Sequence, residues 1–250
     1  MSYANGPRIV TDGLVLHLDA ANSKTINGFD LAGSKSVSFN TISIGNYTPT
    51  GAGNTSKAFI FPNSGTKYPT ISDSNDFDFR GEISWDFVAC KTSSTGRQSV
   101  WSQINTVSPW NGMGVVSMSR DSNGQLAWWG GNYNQDYTGS GPWWDTGISL
   151  DINKWYYCAG TWSSLNRKVY ARTIGSSSFA TALTGTSSLG YFNGSAASNT
   201  FRLGDNGTET ALAGHILDGA ISFVRIYNRQ LSDIEIEQNY NALKGRYGLT

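Results

Sequence analysis

The chain has 250 residues, with eighteen Lys and Arg against eighteen Asp and Glu, a formal net charge of zero and 14% charged residues. So even and sparse a charge leaves no electrostatic footprint for nucleic acid or an anionic membrane, and a partner must be recognised by shape, stacking and hydrogen bonds. Aromatic residues reach 13%, with nine Trp and 29 Gly, and 250 residues are ample chain for a full core in a single all-β domain.

In chain order, residues 1–11 form a polar arm leading into GLVLHLDAAN, where Leu14, Leu16 and Leu18 alternate with Val15, His17 and Asp19. Alternation of this kind marks a half-buried strand. KSVSFNTISI, KAFIFP and YPTIS read as short strands, and EISWDFVACK is the strongest, with Ile83, Trp85, Phe87 and Ala89 sharing one face. Further strands are predicted at RQSVWSQI, GMGVVSMS, GQLAWW, KWYYCAGTW, RKVYART, TFRLG and AISFVRIYN, with turn signals at Asp121–Gly124, Ser163–Asn166 and Asp205–Gly207. Roughly a dozen strands spaced near ten residues apart, without alternating helices, argue for an antiparallel sandwich or barrel in a single domain, residues 1–250.

The closing segment, AISFVRIYNRQLSDIEIEQNYNALKGRYG, holds a change of phase and the one convincing helix. Ile221 and Phe223 alternate in one register and Val224 and Ile226 in the other, so either a bulge sits near Phe223 or both faces are covered. A short C-terminal α-helix is predicted over 232–245: Ser232 and Glu235 have the spacing of a capping box, and Leu231 and Ile236 that of a hydrophobic staple. Ile236, Tyr240, Leu243 and Tyr247 supply its apolar face, and Gly245 its left-handed terminator.

Cys90 and Cys158 each lie within an apolar strand, which favours buried thiols packing as small hydrophobes. The start MSYANGPRIV lacks a basic region followed by an apolar run, and no stretch approaches the roughly 20 apolar residues of a membrane span, so neither signal-dependent export nor membrane insertion is expected.

The opening TDGLVLHLDAAN, the pair EISWDFVACK and KWYYCAGTW, and the closing DGAISFVRIYNRQLSDIEIEQNYNALKGRYG resemble the concanavalin-A-like lectin/glucanase superfamily in its laminin-G-like branch. The opening and closing segments resemble structural proteins of tailed bacteriophages, cyanophages and other marine phages among them. The resemblance implies an all-β, antiparallel jelly-roll β-sandwich and a non-enzymatic virion structural protein, displayed in many copies on capsid or tail for decoration or host attachment. A lectin-like composition without an export signal fits a virion component released by lysis. The partners then expected are other virion proteins and host-surface glycans. The fold also hosts binders and hydrolases, so a carbohydrate-binding adhesin is the alternative and a glycoside hydrolase the third reading.

Glycoside hydrolysis needs two carboxylates flanking the bond. The four Glu are Glu82, Glu209, Glu235 and Glu237, which form no such constellation, and Asp76, Asp78 and Asp86 are the nearest acidic cluster. No nucleophile elbow pairs with His17 or His215, and GFDLAGSKS at 28–36 departs from a phosphate loop by a displaced Lys. No catalytic residue is assigned. No cofactor is assigned: laminin-G-like domains often bind calcium at a loop rim, for which Asp205, Asn206 and Asp218 are the candidate ligands, but FPNSGTKY stands where the resemblance implies an Asp-rich turn, and turn formation explains the same residues equally well.

WWGGNYNQDYTGSGPWW, from Trp128 to Trp144, invites a functional reading. Trp128, Trp129, Tyr133, Asn134, Asp136, Tyr137, Trp143 and Trp144 offer aromatic faces for sugar C–H groups and polar groups for hydroxyls. The same residue types make protein hot spots. They also serve plain packing, one ring of each Trp pair facing the core.

Overall fold

The computed structural model describes residues 7–33, 35–40, 42–51, 55–61, 68–72, 77, 82–104, 112–119, 123–129, 143–163, 166–184, 200–205 and 216–247. Fourteen strands run β1 (Leu14–Asp19), β2 (Ser43–Tyr47), β3 (Ser56–Phe61), β4 (Thr70–Ile71), β5 (Glu82–Lys91), β6 (Ser99–Ile104), β7 (Gly112–Ser117), β8 (Gln125–Trp129), β9 (Trp143–Ser149), β10 (Tyr156–Ser163), β11 (Arg167–Thr173), β12 (Ala180–Thr184), β13 (Phe201–Leu203) and β14 (Gly219–Tyr227). A one-turn helix α1 (Ser23–Ile26) follows β1, and α2 (Asp233–Asn241) follows β14. Every pairing between these strands is antiparallel. They form an eight-stranded sheet, β12-β11-β10-β5-β14-β3-β2 with β1 also on β14, and a six-stranded sheet, β4-β13-β6-β7-β8-β9. The two sheets pack as a jelly-roll sandwich.

The core between the sheets takes Leu16, Leu18, Phe59, Trp85, Phe87, Val169 and Ile226 from one side and Trp101, Val116, Met118, Leu126, Trp128 and Phe201 from the other. Trp85 stacks on Phe87 at 5.5 Å and meets Trp128 edge-on at 5.4 Å. Its indole lies over Gly160, directly across on β10, where an added Cβ would collide with the ring.

β14 is the central strand of the larger sheet, buried along its whole length, and it solves its phase change with a bulge. Its register against β5 shifts between Ile221 and Phe223. Along its opposite edge Gly219–Ile221 pair with β3, and Phe223–Tyr227 pair with β1. Ser222 stands at that handover: its hydroxyl lies 2.8 Å from that of Ser56, and its carbonyl accepts from Ala20 N at 3.0 Å. Both sequence alternatives therefore hold, because a second apolar layer covers the outer face of the same sheet.

That layer is α2 and the N-terminal arm. Ser232 Oγ accepts from Glu235 N at 3.3 Å while Glu235 Oε2 accepts from Ser232 N at 2.8 Å, so the capping box forms as its spacing dictates. Leu231, Ile236, Tyr240, Leu243 and Tyr247 are buried against Val88, Cys90, Tyr157 and Phe223. Beneath them Arg225 forms a bidentate pair with Asp86 at 2.8 and 2.6 Å, both fully buried. Tyr157 Oη donates to the same carboxylate at 2.8 Å and Asn239 Nδ2 at 3.1 Å. Asn239 Oδ1 accepts from Val10 N at 2.8 Å, which fastens the arm to the helix.

Three sequence expectations change. Gly245 is no left-handed cap: α2 ends at Asn241, Ala242 is right-handed, and Lys244–Tyr247 continue as a 3-10 turn. The cause is tertiary, since Arg246 turns back to pair with Asp19 at 2.9 Å and to donate to Ser222 Oγ at 2.8 Å. β5 is buried on both faces rather than one, because α2 covers the second. Strands β9 and β12 and helix α1 add to the predicted set.

Candidate functional site

The two ends of the Trp-rich stretch pair as antiparallel strands: β8 and β9 set Trp128 opposite Trp144 and Trp129 opposite Trp143. Trp128 is a core residue, buried at 1% exposure against Trp85, and is not available to a ligand. Trp144 is half-buried and packs against the same core. Trp129 and Trp143 pair one register step further along the ladder. Tyr133, Asn134, Asp136 and Tyr137 lie outside the described residues.

β9 is an edge strand of the smaller sheet and lies beside β12, the edge of the larger one. Along this side of the sandwich Asp145, Thr181 and Leu183 are exposed, Leu183 at 66%. Thr146 Oγ1 donates to Leu126 O at 2.7 Å and holds the irregular part of the ladder, where the register shifts between Gln125 and Ala127. Gly147 has φ of +75°, a conformation an L side chain resists.

The candidate calcium ligands lie at the other end of the sandwich, where β13 ends and β14 begins. Ser102 Oγ donates to the Asp205 carbonyl at 2.7 Å, and Thr92 N donates to the Asp218 carbonyl at 2.7 Å. Asp218 N donates to Gln98 Oε1 at 2.6 Å. Asn206 lies outside the described residues, among which no group of three His, Cys, Asp or Glu is placed to hold a metal.

Among the described residues, the carboxylates weighed for catalysis have structural partners. Asp86 is the buried partner of Arg225, while Asp76, Asp78, Glu209 and His215 lie outside the described residues. Glu235 caps α2 and pairs with Arg229 at 2.5 Å, Glu237 pairs with Arg172 at 3.4 Å, and Glu82 accepts from Gln230 N at 3.3 Å. His17 is pushed down to about 3 by burial, reinforced by Arg225 and Arg246, and stays neutral at physiological pH. In the 28–36 segment the Asp30 carboxylate accepts from Ala32, Gly33 and Lys35 N at 2.7–2.9 Å, taking the backbone donors a phosphate would need. Sequence reasoning missed the Asp86–Arg225–Asn239 network, whose members are scattered over more than 150 positions.

Neither a family model nor a curated protein matches the sequence. Solved structures do. Domain 4 of AbnA, a GH43 extracellular arabinanase from Geobacillus stearothermophilus, in complex with arabinotriose, is 16% identical over 92% of this chain and 98% of that one, with a TM-score of 0.58. The binding domain of Paraclostridial Mosquitocidal Protein 1 is 15% identical over 93% of this chain and 52% of that one, with a TM-score of 0.59. Trypanosoma rangeli sialidase in complex with 2,3-difluorosialic acid is 16% identical over 95% of this chain and only 34% of that one, with a TM-score of 0.53. These neighbours include both enzymes and binding domains, and at such identities the likeness is one of fold: a jelly-roll sandwich.

Proposed function

We propose that this chain is a glycan-binding module without a catalytic centre of its own. The observation that carries the reading is the β8–β9 ladder: the core claims Trp128 and part of Trp144, while Trp129 and Trp143 pair one step further along, where the strands lead into the Tyr- and Asn-rich sequence of 130–142. Among the neighbours, the AbnA domain holds arabinotriose, and the binding domain of botulinum neurotoxin DC, in complex with SialylT, has a TM-score of 0.54. This chain spans 98% of the AbnA domain and 52% of the neurotoxin binding domain, so the first of these weighs more. The non-catalytic part rests on the carboxylates, since Asp86, Glu235 and Glu237 are committed to ion pairs and caps.

A glycan array tests the reading. Binding is expected to disappear in Trp129→Ala and in Trp143→Ala with the melting temperature unchanged; binding that survives both changes removes the ladder as the site. Release of reducing ends from a polysaccharide panel would establish hydrolysis instead, and none is expected.

A second reading, a structural decoration of a tailed-phage virion, is favoured by the resemblance of the opening and closing segments. In that setting many copies would turn weak single contacts into avidity for a host surface. Mass spectrometry of purified virions should find the chain at stoichiometric abundance, and its absence from the particle would overturn the placement.

A further inference from the structure

Lys91 ends β5 with its side chain fully buried. Its ammonium donates to two backbone carbonyls, Met118 O and Gly124 O, each at 3.0 Å. These belong to the end of β7 and the approach to β8, so one cation closes the connection between two strands of the opposite sheet. The same residue gathers the neighbouring connections. Its own carbonyl accepts from Asn153 N at 2.8 Å, and Gly124 O accepts also from Leu150 N at 3.0 Å. Gly219 pairs with Lys91 in the sheet, and Thr92 N and Oγ1 donate to Asp218 O at 2.7 and 3.1 Å. Asp218, one of the candidate calcium ligands, is thus tied to the residue next to Lys91, while the ammonium itself holds the carbonyls of Met118 and Gly124.

Carbonyl dipoles converging on a buried positive charge are what a bound metal ion ordinarily organises at a loop rim. Among the described residues no carboxylate bonds the Lys91 ammonium. Among the described residues Asp151 acts on it through space and is itself paired with exposed Lys154 at 2.6 Å, and Cys158 acts on it in the same way. A divalent cation brought to the same carbonyls would meet a fixed like charge at close range in a poorly solvated site.

We propose that Lys91 is a built-in cation that takes the place of a metal ion at this rim, so that the β7–β8 connection, and with it the base of the Trp ladder, is assembled without calcium. The proposal is independent of the glycan reading, because it concerns the opposite end of the sandwich.

Thermal melting of the full chain tests it. The wild-type melting temperature is expected to be the same in excess chelator and in millimolar calcium. Lys91→Met, which keeps the length of the side chain and removes the charge, is expected to melt several degrees lower. Lys91→Ala is expected to melt lower still and to recover part of the loss in propylammonium chloride but not in propanol at equal concentration. A wild-type melting temperature that falls in chelator, or a Lys91→Met protein as stable as wild type, overturns the proposal. Should either variant fail to fold, the wild-type comparison of chelator with calcium remains decisive.

Discussion

Asp86 and Arg225 illustrate how much of this fold rests on individual polar side chains. Charges removed from water are tolerated only when each lone pair and proton finds a partner, and here the carboxylate accepts from Arg225, Tyr157 and Asn239. The network keeps Tyr157 protonated: burial pushes the phenol well above its ordinary value, and the Asp86 charge adds to the effect. Asp86→Ala strands a buried guanidinium and should cost about 3–5 kcal/mol in urea unfolding. The double change Asp86→Leu with Arg225→Met should recover most of that loss, since it removes both charges together. A single variant within 1 kcal/mol of wild type, on the scale by which ordinary surface changes are judged (about 0.5 kcal/mol), would show that the pair is dispensable. None of this was legible in the sequence, where Asp86 stands between Trp85 and Phe87 and its partners lie far along the chain.

The helix α2 was legible because its signals are local. Ser232 and Glu235 satisfy each other's backbone within one turn, whatever the rest of the chain does. The Glu235 carboxylate is held down to about 2, chiefly by its hydrogen bond with Arg229 and then by the Ser232 cap, against an ordinary 4.5. A depressed acid contributes stability above its unfolded value and loses it as pH falls through the folded one. Glu235→Gln should therefore be less stable than wild type at neutral pH, and the gap between their melting temperatures should close as pH falls from about 4.5 to about 2. A gap that stays constant across that window would assign the stabilisation to shape rather than charge. Where the signal was tertiary the sequence misled. Gly245 has the right residue type for a left-handed cap, but the pull of Arg246 toward Asp19 tightens the turn instead. β12, with the sequence ATALT, lacks the bulky alternation that marks a strand, and it exists because β11 provides a ladder for it.

The sandwich as a unit decides what neither residues nor single elements can. Cys90 and Cys158 lie on adjoining strands of one sheet, yet Cys158 faces the core between the sheets and Cys90 the layer under α2. The sheet itself stands between them, and both are free thiols. Burial pushes the Cys90 thiol up to about 12 and the Cys158 thiol higher than its ordinary value. Native protein should therefore react with a thiol reagent only after unfolding, and its melting temperature should not depend on reductant; rapid labelling of either cysteine in the native state would contradict the placement. The twofold periodicity of the strands and their even spacing made the sandwich legible, but the assignment of each ring in the Trp stretch was not. Trp128 and Trp129 are neighbours in sequence, and it is the position of Trp85 across the core that makes Trp128 a core ring.

The central position of β14 also bears on how the chain becomes this structure. The strand that joins β5 to both β3 and β1 comes from residues 219–227, and the helix that seals the outer face follows it. The first strand thus waits for a partner more than 200 positions away, Leu14 opposite Tyr227. Contacts of such sequence separation must be closed before they repay their entropy, which makes folding slow. A nascent chain emerging in order can form the smaller sheet's hairpins but not the larger sheet's middle, so maturation is a late, all-or-none event. Trimming the chain behind β13 should leave an aggregation-prone intermediate with open strand edges rather than a smaller working domain.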